Sequence, residues 1–383
     1  MTTEHQPIAL SGDKITATYH IAADTAREAA ERAADIGVEQ TAEFPEDLIT
    51  ETDLREQILG RVVAQRALAP PMHEVAIEFS AETAGVELTQ LLNLLYGNIS
   101  LKPGIRLVGV ELPDALLAKY RGPRFGVAGL RAAIDVRDRA LLCTALKPMG
   151  LAPQELADLA YDFALGGIDL IKDDHGLADQ PFCRFAERVP RCVEAVARAN
   201  EETGRRCLYV ANVTAPFDQL IEHAERARKW GAGGLLVAPG LVGFDAMRYL
   251  ADHDGLALPI LAHPALLGAY SARPSEGIAH GLLYGELMRL AGADGSIFPS
   301  YGGRFAFTRE QCREVADGCA RPMGDVAPIF PVPAGGMSLD RVNALVRFYG
   351  TDAILLIGGD LHRHGSDLTA ACVEFVRRAA RAR

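Results

Sequence analysis

Cysteine, lysine and long apolar runs are all scarce in this chain. Seven cysteines are scattered over 383 residues, with no Cys-x-x-Cys pair. An odd, dispersed set gives neither a disulfide framework nor a zinc site, and suits reduced thiols in a cytoplasmic protein. No apolar stretch reaches the ~18 residues that a bilayer span needs, so no membrane association is expected. The N-terminal stretch MTTEHQPIALSGDKITATYH is polar and lacks the apolar core of a secretory leader. Basic residues do not dominate either. The formal net charge is −11, which argues against a nucleic-acid partner but leaves room for an anionic small molecule in a locally positive pocket. Of 39 basic residues only six are lysines (14, 102, 119, 147, 172 and 229), leaving 33 arginines. Where arginine is the habitual cation a lysine is informative, and Lys147 and Lys172 each end an apolar run.

What is present is ordinary globular composition, 49% hydrophobic and 23% charged, in a chain too long for one small domain. Residues 1–125 read as an α+β domain. ITATYHI (15–21), EVAIEFSAE (74–82) and IRLVGVELP (105–113) alternate as strands, with helices over 24–40 and 88–98 between them. Residues 126–383 are repetitive. Eight short apolar runs begin near 141, 167, 207, 233, 258, 294, 328 and 353. Helical stretches such as PQELADLAYDFALG, FDQLIEHAERARKWG, GLLYGELMRLAG and LDRVNALVRFYG separate them, each closing on a glycine. Both faces of each run are apolar, as in a parallel sheet covered by helices. Eight βα units predict a C-terminal (β/α)8 TIM barrel behind an N-terminal α+β (ferredoxin-like) domain. An open doubly wound sheet is the alternative, but the first strand leads into LKPMG rather than a glycine fingerprint.

Barrel enzymes place catalysis at the C-terminal ends of their strands. Those ends carry Lys147, then Lys172-Asp173-Asp174-His175, Asn212 and Thr214, and His263. They go on to Ser300-Tyr301-Gly302-Gly303-Arg304, Gly335-Gly336 and Gly358-Gly359-Asp360. The two Gly-Gly pairs follow strands seven and eight, where backbone N–H groups and a helix N-terminus can receive phosphate. The helix of MSLDRVNALV starts directly after Gly336, where such an anion would sit. Two tight turns are the plainer reading. In a strand alternate side chains share a face, so Lys172 and Asp174 point one way and Asp173 the other. A salt bridge explains that pair. A hard-cation site explains it too, if Lys172 carries CO2 as a carbamate and so presents oxygens.

These motifs resemble the large subunit of ribulose-1,5-bisphosphate carboxylase/oxygenase (RuBisCO). GGIDLIKDDH is similar to its Gly-Gly-x-Asp-x-x-Lys-x-Asp-Glu motif, with Lys172 at the carbamylated lysine, Asp174 at the aspartate and His175 in place of the glutamate. Gly97-Asn98, LKP (146–148), His263, PVPAGG and LIGGD match further family motifs in order along nearly the whole chain, and Glu39 matches an N-domain glutamate more loosely. The resemblance implies Mg2+ held by Lys172 (with CO2 as its carbamate), Asp174 and His175. It implies catalytic roles for Lys147, Lys172, Asn98 and His263, and phosphate contacts from Gly335, Gly336, Gly358 and Gly359. It also implies a homodimer whose active site is shared, with Asn98 and Glu39 acting across the interface.

The departures from that family are as informative. GSIFPSYGGRFAFTREQC, in the place of the carboxylation loop, has no lysine. Pro264 stands for an arginine, Ala334 for a serine, and Gly295 and Ile297 occupy the neighbourhood of a missing histidine. The lost groups belong to a second phosphate, so a substrate with one phosphate is expected. The chain thus resembles the non-carboxylating RuBisCO-like branch (form IV). The expected chemistry is enolisation of a phosphorylated ketose through a metal-stabilised enediolate, a proton shift on 5-methylthioribulose 1-phosphate foremost. Decarboxylation of a 3-oxo sugar-acid phosphate (3-oxo-isoapionate 4-phosphate type) is the second reading, and a non-catalytic ligand-binding regulator the third. His175 is open between ligand and acid/base group, with Asp173 able to rotate in as the missing oxygen. Phe298 and Tyr301 are candidates to cover a methylthio group.

Overall fold

A computed structural model describes residues 8–365 and 367–382; the first seven residues of the polar N-terminal stretch lie outside them. The chain forms two compact units.

The first unit runs up to Tyr120 and recruits Leu267–Leu283 and Met323–Asp325 from later in the chain. Strands β1 (Lys14–Ala22), β2 (Arg61–Ala67), β3 (Met72–Ser80) and β4 (Ile105–Glu111) lie antiparallel in the order β4-β1-β3-β2. The period-two pattern of β1 buries Ile15, Ala17, Tyr19 and Ile21 on one face. Helices Ala26–Glu39 and Leu88–Tyr96 bury their own apolar stripes. The Tyr19 hydroxyl donates to the Leu95 carbonyl at 2.7 Å, tying β1 to the second helix. β2 escapes the sequence reading because it is an edge strand exposed along its whole length, so RVVAQRA carries no alternation.

The second unit holds the predicted eight-stranded array. Its strands are β5 (Leu141–Leu146), β6 (Leu170–Asp173), β7 (Leu208–Asn212), β8 (Gly234–Val237) and β9 (Ile260–Ala262). After β9 the chain visits the first unit, where β10 (Gly277–Ile278) pairs parallel with β4. It then returns for β11 (Gly295–Pro299), β12 (Phe330–Ala334) and β13 (Ile354–Leu356). All ladders are parallel, in the order β12-β11-β9-β8-β7-β6-β5-β13, and β12 and β13 lie side by side to close the ring. An open doubly wound sheet is thereby excluded. The interior takes at least one apolar side chain from every strand, Cys143, Leu170, Val210, Leu236 and Leu261 among them. Each such burial is worth about 1.5–3 kcal/mol.

Two local details set the frame. The carboxylate of Asp294, at the head of β11, accepts from the Phe125 and Gly126 amides at 2.7 Å each and from the Ile260 amide at 2.8 Å. GLLYGELMRLAG is not a uniform α-helix: Leu282–Glu286 form a wide π-type turn before Leu287–Leu290. There Gly285 lies so close to Gly318 that a Cβ would sit 2.6 Å from its backbone.

Candidate active site

β6 delivers its last side chains to opposite sides, as alternation requires. Asp173 faces the helix Phe185–Thr203 and is fully buried. Its carboxylate accepts from the Tyr209 hydroxyl at 2.7 Å, the Arg188 Nε at 3.2 Å and the Asn212 amide at 3.0 Å. Arg188 is buried too; its Nη1 donates to the Ala178 and Cys183 carbonyls and its Nη2 to the Leu177 carbonyl. The expectation that Asp173 could swing in as a ligand does not hold. Rotation would abandon three hydrogen bonds and strand a guanidinium in the core. Arg188 and Tyr209, which perform this support, went unnoticed in the sequence because nothing in a helix or strand interior marks a partner across it.

On the other side Lys172 is 2% exposed, and its amine donates to the Asp173 carbonyl at 2.9 Å. Burial pushes its pKa down, which favours the neutral amine. Asp174 Oδ1 lies 3.0 Å from the Lys147 Nζ and 3.4 Å from the His175 Nδ1. Burial raises the Asp174 pKa, but the hydrogen bonds from His175 and Lys147 and the charge of Lys172 outweigh it, leaving the carboxyl well below its usual range. The His175 ring stacks on His263, with centroids 4.2 Å apart and planes 11° off parallel. Burial, then the charges of Lys172 and His175, bring His263 down to about 2. Its Nδ1 accepts from the Ala265 amide at 3.2 Å. Asn212 fixes the loop after β6, donating to the His175 carbonyl at 3.1 Å and the Leu177 carbonyl at 2.9 Å. Thr214 accepts from the Ala238 amide and serves the backbone rather than the cluster. Lys147, Lys172, Asp174, His175 and His263, from β5, β6 and β9, thus converge at one end of the barrel.

As unmodified side chains these groups make a poor magnesium site. Among the described residues no three His, Cys, Asp or Glu side chains form a metal-binding group. The Lys172 amine is a donor, so one carboxylate and one imidazole remain, short of the oxygen-rich set a hard cation takes. A carbamate on Lys172 would reverse its polarity, adding oxygens beside Asp174. The residues fit Mg2+ with that modification and not without it.

The glycine loops differ in character. Gly335 and Gly336 have φ of +81° and +91°, a conformation other side chains rarely adopt. A Cβ on Gly336 would lie 2.9 Å from the Arg304 amide nitrogen, whereas Gly358 and Gly359 face open space. The helix after Gly336 is not free to receive an anion at every amide: Asp360 Oδ2 already accepts from the Leu339 amide at 3.0 Å. Phe298 is fully buried and cannot cover a substrate. The Tyr301 ring packs on Phe348, with Arg309 and Arg341 against its faces. In the first unit the Asn98 Nδ2 donates to Glu39 Oε1 at 3.1 Å, and the Lys102 Nζ reaches Asp35 at 2.5 Å and Glu39 at 3.4 Å. The weak match of Glu39 thereby gains a physical partner in Asn98.

The family described as the ribulose bisphosphate carboxylase large chain, catalytic domain, matches residues 126–383. Ribulose bisphosphate carboxylase-like protein 1 of Rhodopseudomonas palustris is 44% identical over 368 residues, covering 96% of this chain and 98% of that one. The 5-methylthioribulose-1-phosphate isomerase of Rhodospirillum rubrum is 41% identical over 370 residues, covering 96% of each. A crystal structure of a Rubisco-like protein from Rhodopseudomonas palustris superposes with a TM-score of 0.88 at 42% identity, covering 97% of this chain and 98% of that one.

Proposed function

This chain belongs to the ribulose bisphosphate carboxylase large-chain family, in its RuBisCO-like, non-carboxylating branch, and from that premise we propose that it is an isomerase of 5-methylthioribulose 1-phosphate. The observation that carries the reading is the convergence of Lys147, Lys172, Asp174, His175 and His263 at the catalytic end of the barrel. The relative named for that isomerase supports it over the decarboxylase.

Each residue then has a task. Burial lowers the Lys172 pKa and so eases uptake of CO2 by its amine; the resulting carbamate with Asp174, and His175 beside them, would hold Mg2+. Mg2+ held there would supply Lewis acidity to a substrate carbonyl, making the neighbouring proton easier to remove. Lys147 moves the proton at carbon, with the Lys172 carbamate as the other candidate base. Lys147 rests in an ion pair with Asp174 Oδ1 at 3.0 Å, which holds its amine beside the residues that would carry the metal. His263, low in pKa and with Nδ1 occupied by the Ala265 amide, presents Nε2–H as a neutral donor to a substrate oxygen. The backbone of Gly335, Gly336, Gly358 and Gly359 receives the single phosphate.

The active protein in this reading is a cytoplasmic homodimer. Seven buried free thiols suit a reducing compartment, and no helix among the described residues is long and apolar enough to cross a membrane. Six segments that follow strands at the catalytic end, four loops and two helix starts, each expose a large apolar side chain: Met149, Phe182, Phe217, Leu241, Leu266 and Phe305. Such a rim suits cover by another surface, and a second copy bringing Asn98 and Glu39 would supply it. The test is turnover of 5-methylthioribulose 1-phosphate followed by NMR, with Mg2+ and bicarbonate present. A rearranged pentose phosphate is expected from the wild type, and at least about a hundred-fold less from Lys172→Ala. Equal turnover by the variant would remove Lys172 from the mechanism.

A further inference from the structure

The glycine loops leave an electrostatic gap. Their N–H groups carry only partial charge, and the Asp360 carboxylate on the Leu339 amide adds a full negative charge where an anion would approach. A phosphate there needs a cation. Arg341, five residues beyond Gly336, has its two terminal nitrogens donating to the Gly302 and Tyr301 carbonyls at 3.1 and 2.6 Å.

Arg304 is differently placed. Its amide donates to the Gly335 carbonyl at 3.2 Å, so its backbone is joined to the first glycine loop. Gly336 meets that same amide, and the adjoining Phe305 ring lies where a Cβ on Gly335 would fall, 2.9 Å from it. The Arg304 guanidinium rests 5.0 Å from the centroid of that ring and forms no ion pair among the described residues. The side chain is exposed toward solvent, with its charge uncommitted. The loop that carries it is fixed at several points. The Ser300 amide bonds the Ala334 carbonyl at 2.8 Å, Arg341 grips two successive carbonyls, and Tyr301 packs 4.8 Å from Phe348.

We propose that Arg304 is the cationic side chain of the phosphate subsite, held beside Gly335 and Gly336 by a clamped loop. The inference rests on the phosphate reading above and adds to it the residue that binds the dianion. A guanidinium offers a planar fork to two phosphate oxygens, and its aromatic neighbour restricts where that fork can lie. The loop between β11 and the helix Arg309–Ala320, which lacks a lysine, thus contributes to substrate binding through an arginine.

The test reads inorganic phosphate binding to the full-length protein by calorimetry, a measurement that needs no turnover. Wild type and Lys172→Ala are expected to bind phosphate alike, and Arg304→Ala about tenfold or more weaker. Arg304→Lys should fall between them, since it keeps the charge and loses the fork. With substrate, Arg304→Ala should raise KM while kcat changes less. Phosphate binding by Arg304→Ala at wild-type strength would overturn the assignment of Arg304 and leave the phosphate reading standing. No binding of phosphate by the wild type would overturn both.

Discussion

At the scale of single residues the site turns on two neighbours in β6 that differ by one step of alternation. Lys172 faces the mouth with a depressed pKa, and Asp173 faces the core in a network of three donors. The alternation of KDDH made those directions legible in advance. The network around Asp173 was not, because Tyr209 and Arg188 are 36 and 15 residues away and only the folded sheet brings them to it. The lowered pKa of Lys172 has a consequence that can be measured. Only the unprotonated amine takes up CO2, so activation by bicarbonate with Mg2+ should grow as pH rises and set in below the range of an ordinary lysine. Lys172→Met should show no activation at any pH. A wild type whose activity ignores bicarbonate across that range would argue against a carbamate.

At the scale of elements, the eight barrel strands were legible because each is a short apolar run closed by glycine, proline or a polar residue. β2 and β10 were hidden, one by exposure on both faces and the other by having only two residues. A helix was expected directly after Gly336, but Met337 and Ser338 intervene, a 3-10 turn covers Leu339–Arg341 and the α-helix begins at Val342; nor was it legible that Asp360, 21 residues beyond Leu339, takes the Leu339 amide. Asp294 was likewise silent in sequence, though it is a staple of the barrel, joining β9, β11 and the segment at Phe125–Gly126 through three amides. Asp294→Asn puts an NH2 group against at least one of those N–H donors. A loss of about 1–3 kcal/mol in unfolding free energy is expected, read by chemical denaturation. Unchanged stability would mean that the three bonds contribute little.

At the scale of the whole molecule, the order of motifs along the chain gave the family, and the absences within it gave the branch. What the sequence left dark was the rim of exposed apolar side chains at the catalytic end, since its members come from six segments far apart in the chain. If a second copy covers that rim, two inactive variants should rescue one another. Mixed Asn98→Ala and Lys172→Ala chains, unfolded and refolded together, should regain roughly a quarter of the wild-type sites, as expected for random pairing in a twofold dimer. No recovery would place Asn98 and Lys172 in the same chain's site, or Asn98 outside any site. The central claim is that the converged lysines, aspartate and histidines remove a proton next to the carbonyl of a singly phosphorylated ketose. The most direct measurement is proton NMR of 5-methylthioribulose 1-phosphate in D2O with the enzyme, Mg2+ and bicarbonate. Loss of the signal of a carbon-bound proton beside the carbonyl is expected in the complete mixture and not with Lys172→Ala. Full retention of that proton in the complete mixture would contradict the account.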